Sequence, residues 1–478
     1  MAESSRERAR DTVKTAGGPE LLERLDHLDA LRSRGRGPSA SPPRLVAPHD
    51  AIDTDVIIAG GGLWSLLAPI LAARGLRVTV VERARVGAAH REWNASRSEL
   101  MSLVDRGILR NEAELDALVV ATYDWGTCRF HGGGDYPVPN VLDHAIDAGP
   151  LLQHARASAE ARGVDMRDGC SVLSHSANEH GVRVRIASGS SEIELTAKAL
   201  VDARGVSSPF ASADLVCPTV GGVMRGLRAG EGVREMNPKV GEILATVDGI
   251  DDTGRQHVWE AFPGRDGETT VYLFYYGRAG EPHDLASLFA RFFECLPTYK
   301  EGNAQLVRPT FGLIPGWSRL GPAPRAPDPR VLLVGDAAAR HSPLTYCGFG
   351  AALRSFGPCA DAIAGIVEGA PQVGVAMHDA PVHRLTGALA YMMASRSMRG
   401  QELNALLDDA FSTLHYLGDE TYASLLQDTM TTRDFVRFLK GTAARHPSVW
   451  GEALRGMGAK TIGRLAAGLA RSWVMRDG

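Results

Sequence analysis

The spacing of apolar positions changes several times along the chain, and each change predicts an element. Val56–Ala59 is a continuous apolar run, as in a parallel strand buried on both faces. Gly60, Gly61 and Gly62 follow, then an apolar helix, then a second strand, Arg77–Val81, ending in Glu82. Upstream, Leu21, Leu22, Leu25, Leu28 and Leu31 fall on one helical stripe within residues 19–34, read as a docking helix or, better, a helix packed on its own domain. Residues 33–53 are rich in Pro, Gly and Ser and read as a linker. After Glu82, residues 85–103 read as a loop entering a helix, with Asn94 or Ser96 as N-cap and Glu99 in the first turn. Residues 143–162 read as a helix, with Leu151, Leu152, Ala155 and Ala159 on one side. Short strands are predicted at 171–175, 182–187, 192–195 and 199–202.

From residue 216 to 329 the pattern turns strand-like, at 220–224, 242–247, 256–262 and 269–276. The last two are joined by the hairpin signal PGRDG. A helix at 284–296 and a strand at 306–314 complete this stretch. Arg330–Val334 then returns to a buried-strand pattern, and Cys347–Phe356 opens a helix. Residues 378–478 are helical by periodicity. The predicted fold class is α/β: a Rossmann-like dinucleotide-binding domain (51–215 plus 330–370) with an inserted antiparallel-sheet substrate domain (216–329). An N-terminal helix and linker (1–50) precede it, and a helical C-terminal region (371–478) follows.

Composition narrows the class. With 478 residues, 44% hydrophobic and 23% charged, the chain can bury a large core. A net charge of −4 gives no reason to expect a nucleic-acid partner. Six scattered cysteines without a CxxC pair argue against a metal site or a disulfide framework and fit a reducing compartment. The N-terminal residues carry no apolar signal core, so a cytoplasmic protein is expected. Residues 56–73 are uncharged over 18 positions, but three glycines and Pro69 make a membrane span the poorer reading.

The glycine turn carries the first chemistry. Gly60, Gly61 and Gly62 let the backbone turn tightly and approach a pyrophosphate, with the positive end of the next helix behind it. Ser65 takes the third glycine position and is still small. Glu82, at the strand tip, can accept hydrogen bonds from a ribose, and Arg83 beside it joins the candidate cofactor contacts. Asp202 and Gly205 form a turn at another strand's carboxyl end, where doubly wound sheets keep ligands. Gly335 and Asp336 end the late strand, and Gly348 and Gly350 open the helix after it, a second anion-binding start. Asp336 can accept a hydroxyl of a ribityl chain. This split pattern points to FAD rather than NAD. Arg97 and Glu99 are candidates for ribityl or phosphate contacts, although pattern alone favours a surface ion pair.

Four segments carry a family resemblance: EWNASRSEL (Glu92–Leu100), WEAFPGRDGETTVYLF (Trp259–Phe274), CLPTYKEG (Cys295–Gly302) and VGDAAARHSPLTYCGFGAALRSF (Val334–Phe356). With these the chain resembles the FAD-dependent lycopene cyclases of the green sulfur bacterial and cyanobacterial type, the CruA/CruP group, within the glutathione-reductase-like flavoproteins. The resemblance implies a redox-neutral reaction: a proton adds to a terminal alkene, the cation closes a ring, and a ring proton is lost. It also implies a reduced flavin that stabilises the cation, with NAD(P)H as possible reductant. Val258, Glu260 and Phe262 share one strand face, and an acid among apolar neighbours stays protonated near neutrality. Pattern alone leaves open a Glu260 facing water or paired with Arg265; the resemblance favours the acid. Tyr272, Phe274 and Tyr276 share a face of the partner strand and could line a polyene channel. His341 and Tyr346 precede the second helix start, a position that faces the flavin in such folds, and His341 is a second candidate catalytic residue. The basic amphipathic tail Gly451–Gly478, with Arg455, Lys460, Arg464, Arg471 and Arg476, suggests either peripheral attachment to the cytoplasmic membrane or a packed terminal helix. Lycopene and enzymes of its pathway are the expected partners. The competing readings are a monooxygenase or isoprenoid reductase on the same fold, and a non-catalytic flavin- or carotenoid-binding protein.

Overall fold

The computed structural model describes residues 2–33, 52–89, 91–320, 328, 330–370, 382–396, 398, 400–445, 447–448, 451, 455 and 458–474. The predicted linker lies almost wholly outside the described residues.

Two large sheets organise the chain. In the first, Thr54–Ala59 lies between Val78–Val81 and Ser191–Asp202, all parallel, with Asp165–Arg167 beyond one neighbour and Val331–Leu333 beyond the other. Every residue of Thr54–Ala59 and Val78–Val81 is buried, Thr54, Asp55 and Thr79 along with the apolar positions that suit strands covered on both faces. The predicted strands at 192–195 and 199–202 form one continuous strand. Its first half pairs antiparallel with Val182–Ser188, which pairs in turn with Cys170–Ala177, and its second half joins the parallel sheet.

The second sheet has eight strands and is mixed. Leu215–Leu227 pairs antiparallel with Gly302–Gly316 on one side and with Thr269–Phe274 on the other; Val258–Pro263 and Val240–Ala245 follow. The sheet also takes in Trp125–Arg129 and Asp135–Val138, which the sequence reading placed in the nucleotide domain. Trp125–Arg129 pairs parallel with Val240–Ala245, a contact between segments more than 100 residues apart that no local pattern announces.

Residues 143–162 are not one helix. His144–Asp147 is the central strand of a small third sheet with Glu92–Ala95 and Val119–Thr122, and Asp147 then caps the helix Ala148–Glu160 through Gly149 N–H. Ser96, not Asn94, caps the helix Arg97–Leu100, in a capping box with Glu99.

Alternation assigns the two faces of the second sheet. Val258, Phe262, Phe274 and Tyr276 pack toward the C-terminal helices, among them His383–Ala394, Glu402–Leu417 and Thr432–Arg445. Trp259, Ala261, Val271 and Leu273 pack against the helix Leu285–Tyr299 and the N-terminal helix. The N-terminal helix starts at Ala2, well before the predicted residue 19, and runs to Ser33 with a break at Gly18. It packs on its own chain, with Leu25 and Leu28 buried and Asp29 accepting the N–H of Leu285. Among the described residues no helix is long and apolar enough to cross a membrane. The terminal helix Ala459–Val474 contacts His383–Ala394 and is largely exposed over residues 458–467.

Candidate active site

The glycine turn does what its sequence requires, with a division of labour among the three. Gly60 has φ 122°, and a Cβ there would lie 2.5 Å from the carbonyl oxygen of Ala203. A Cβ on Gly61 would meet Glu82 and the Val86 backbone. Gly62 is different: its φ is ordinary and a Cβ would meet nothing within 4 Å. The two tight glycines hold the turn against the sheet, and the third leaves its outer side open. A 3₁₀ turn, Leu63–Leu66, then leads into the helix Leu67–Ala73. Pro69 therefore sits in the first turn of the helix, where its missing N–H costs little. Ser65 is buried within the 3₁₀ turn.

A cavity of about 310 Å³ lies at the carboxyl ends of these strands, lined by Gly60, Gly62, Glu82, Arg83, Cys170 and Arg204 among others. Glu82 accepts the N–H of Gly61 at 2.8 Å and that of Ala84 at 2.9 Å, which fixes its carboxylate at the mouth with further lone pairs free. Asp202 does not reach this cavity. It is fully buried and accepts from Arg204 (3.0 and 2.8 Å) and from Ser208 Oγ (2.6 Å). Its effect is to fix Arg204, which lines the cavity and which the sequence reading passed over. Gly205 packs against Asp336, joining the two turns. Gly335, with φ 56°, lies against the Trp64 indole, and a Cβ there would stand 2.3 Å from its Nε1. Asp336 takes part in none of the hydrogen bonds or ion pairs among the described residues, so its carboxylate is available at the strand end.

Beyond it, the helix Gly348–Val367 points its N-terminus at a second cavity of about 210 Å³. Gly348 is open, whereas Gly350 is filled against Glu99 and Arg354 and offers no ligand approach. The wall carries Glu260, Tyr272, Phe262, Phe274, Tyr346 and Phe349, together with Arg91 and Glu92. Glu260 stands on the inner face of a central strand and is not at an edge. Arg265 pairs with Asp147 instead. No hydrogen-bond donor or cation among the described residues reaches the Glu260 carboxyl. Burial alone pushes it up to about 8, so it is largely protonated at neutral pH. Burial likewise pushes Tyr272 up to about 12.

Four sequence candidates fall away from this wall. Arg97 is held at the surface by Asp116 (2.6 Å) and Glu112 (3.1 Å) and is not a cofactor contact, because two acids already claim its guanidinium. Glu99 completes the capping box and pairs with Arg354. His341 is buried beside Tyr346 (5.7 Å between rings) but does not line the cavity, and burial lowers its pKa. Tyr276 donates to the Leu344 carbonyl and packs behind the wall. Glu92, which pattern did not single out as an acid, does line it and accepts from Thr270 Oγ1 at 3.2 Å. Only the third dimension could bring it there.

No family model matches the chain, and no curated protein matches it. Solved structures do share its fold. A geranylgeranyl bacteriochlorophyll reductase-like protein of Thermoplasma acidophilum aligns over 84% of this chain and 98% of its own, with a TM-score of 0.53 at 17% identity. A flavoprotein/dehydrogenase of Cytophaga hutchinsonii aligns over 85% and 98%, with a TM-score of 0.56 at 13% identity. The anhydrotetracycline hydroxylase OxyS of Streptomyces rimosus aligns over 78% and 76%, with a TM-score of 0.52 at 18% identity. The chain therefore shares the α/β fold of these proteins, a flavoprotein among them.

Proposed function

We propose that this protein is a FAD-dependent lycopene cyclase that closes a carotene end group by proton addition, without net redox change. The observation that carries the reading is Glu260: a carboxyl group with no ion-pair or hydrogen-bond partner among the described residues, on the wall of an aromatic-lined cavity, beside an open helix N-terminus. The residues fit the cofactor. Gly62 leaves room for a pyrophosphate, Glu82, Arg83 and Arg204 surround the space for an adenosine ribose, and Asp336 is free for a ribityl hydroxyl. Bound in reduced form, FAD would supply negative charge that stabilises a carbocation, with NAD(P)H as the candidate reductant. Glu260 donates its proton to the terminal alkene carbon. Phe262, Tyr272, Phe274 and Phe349 exclude water and offer π faces to the cation. The basic terminal helix attaches the protein to the cytoplasmic face of a membrane, where lycopene and the enzymes that make it reside. Expression in a lycopene-accumulating host, followed by pigment chromatography, tests the function: cyclised carotene is expected with the parent and not with Glu260→Gln.

A second reading has one specific support, the fold shared with a geranylgeranyl reductase-like protein. In an isoprenoid reductase the Glu260 proton would accompany a hydride from the reduced cofactor. Stoichiometric consumption of reductant and a mass gain of two hydrogens would mark that reaction; a cyclase shows neither.

A further inference from the structure

The Glu260 cavity has a neighbour. A second space of about 440 Å³ lies against it, lined by Arg225, Arg265, Arg308, Asp147 and Glu268. Arg91 and Glu92 line both spaces. This second space is polar and charged, so it is a route for water and protons rather than for a hydrocarbon. Its acids and arginines are mostly paired with one another: Arg225 with Glu268 at 2.7 Å, Arg308 with Glu268 at 3.2 Å, Arg265 with Asp147 at 2.5 Å. Glu92 stands between the wet side and the dry side.

Register fixes where. Glu260 is opposite Tyr272, and Phe262 is opposite Thr270. Thr270 and Tyr272 share one face, two residues or ~7 Å apart along the strand. Glu92 accepts from Thr270 Oγ1 at 3.2 Å, and its carboxyl also lies 3.2 Å from where a Cβ on Gly264 would stand, so it sits past Phe262 as seen from Glu260, more than one such step away. Both residues line the same cavity, so a relay between them would run through water held there.

We infer that Glu92 is the proton relay of this site, taking up the proton that leaves the substrate and connecting Glu260 to solvent. The inference rests on the cyclase reading. In the full cycle the Glu260 O–H bond breaks and a C–H bond forms at the alkene, leaving a tertiary cation. The internal double bond closes the ring C–C bond. A ring C–H bond then breaks, its electron pair becomes the ring double bond, and the proton passes to the Glu92 carboxylate. Water carries a proton from Glu92 back to Glu260. No electron and no net proton is consumed. Desolvation raises the Glu92 pKa, while the Thr270 hydrogen bond, Arg308 and Arg265 oppose the rise and Asp147 adds to it.

The test reads the proton directly in the purified holoenzyme. The carboxylic C=O infrared band that disappears in Glu260→Gln reports the Glu260 acid, and its shift after transfer to deuterated water reports exchange with solvent. In Glu92→Gln the band is expected to remain and its exchange to slow by about 100-fold, while Glu92→His, which can still carry a proton, restores it. Thr270→Val leaves both carboxyls but frees Glu92 from the wall, and slows exchange even if Glu92→Gln does not fold. Parent-rate exchange in Glu92→Gln, or in Thr270→Val where the former is unfolded, overturns the relay and leaves the cyclase reading standing. If no band is lost in Glu260→Gln, there is no stored proton, and both the acid and its relay are rejected.

Discussion

Glu260 stands directly opposite Tyr272 in an antiparallel pair, with both side chains turned into the same cavity. The residue before Glu260 faces the other way. Trp259 stacks on Tyr299 with ring centroids 4.7 Å apart and 26° between planes. One step along the strand thus separates a wall that meets ligand from a rigid aromatic layer behind it. Two of the resemblance segments, WEAFPGRDGETTVYLF and CLPTYKEG, meet at this stack.

That layer contains a buried charge network. Glu242 accepts from Tyr299 Oη at 2.6 Å and from Arg129 at 3.1 Å, and pairs with Lys300, which is only 2% exposed. Removing Glu242 leaves Arg129 and Lys300 buried without their shared counter-ion. Glu242→Gln is therefore expected to cost about 3–5 kcal/mol in denaturant unfolding. Lys300→Met combined with Glu242→Gln should recover part of that loss; strict additivity of the two changes would show that the pair is not coupled.

The three glycines of the turn should separate by phenotype. Gly60→Ala forces a Cβ into the Ala203 carbonyl at φ 122° and is expected to cost about 1–3 kcal/mol. A Cβ at Gly62 meets no protein atom within 4 Å, so Gly62→Val should largely keep the melting temperature. The valine side chain occupies the space left for the pyrophosphate, and the purified protein should lose its bound FAD and its yellow colour. Full FAD occupancy in Gly62→Val would show that the dinucleotide lies elsewhere.

Arg97 and Arg204 provide a paired test of the cofactor contacts. Arg97 is committed to exposed acids, so Arg97→Ala should leave FAD affinity unchanged and move stability by less than about 1 kcal/mol. Arg204 lines the first cavity and is held there by Asp202, so Arg204→Ala should weaken FAD binding by about tenfold, the scale of one charge-assisted hydrogen bond. Fluorescence titration with FAD measures both.

These sites differ in how far the sequence reveals them. The glycine turn, Glu82 and Asp336 follow from local order, because strand and turn act over a few residues; alternation puts Glu260 on one face with Val258 and Phe262 but leaves open whether that face meets water. In sequence Arg97 stands between a cofactor contact and the surface ion pair it makes, and Asp202 reads as a ligand contact, because a charged side chain near a ligand site looks the same in sequence whether it meets the ligand or another side chain. Arg204, two residues from Asp202, carried no signal of its own. Glu92 was hidden for a further reason. Its strand pairs with His144–Asp147, and its hydrogen bond comes from Thr270 in another sheet, so its position depends on contacts across 178 residues. The strand His144–Asp147 was absorbed into the following helix because four residues are too few to establish a period of two.

The last prediction concerns pH, and it links stability to catalysis through one group. The Glu260 carboxyl has its ordinary value of 4.5 when the chain is unfolded and about 8 when folded. Because the folded value is raised, the folded state holds a proton that the unfolded state releases between these two values. Stability from this group is complete below pH 4.5 and falls as pH rises toward 8, by up to about 5 kcal/mol at roughly 1.4 kcal/mol per unit. Glu260→Gln removes the titration. It should match the parent in unfolding free energy near pH ~5 and exceed it by a few kcal/mol near pH ~9. Catalysis runs the other way. The parent should hold its rate below about 8 and lose it above, as the acid ionises, whereas Glu260→Gln should be slower by about 100-fold below that pH and show no such fall above it. A variant that is both more stable in alkali and inactive identifies Glu260 as an acid kept for its proton at the expense of the fold. Equal pH–stability curves for parent and variant would show that the carboxyl is solvated and reject it as the stored acid.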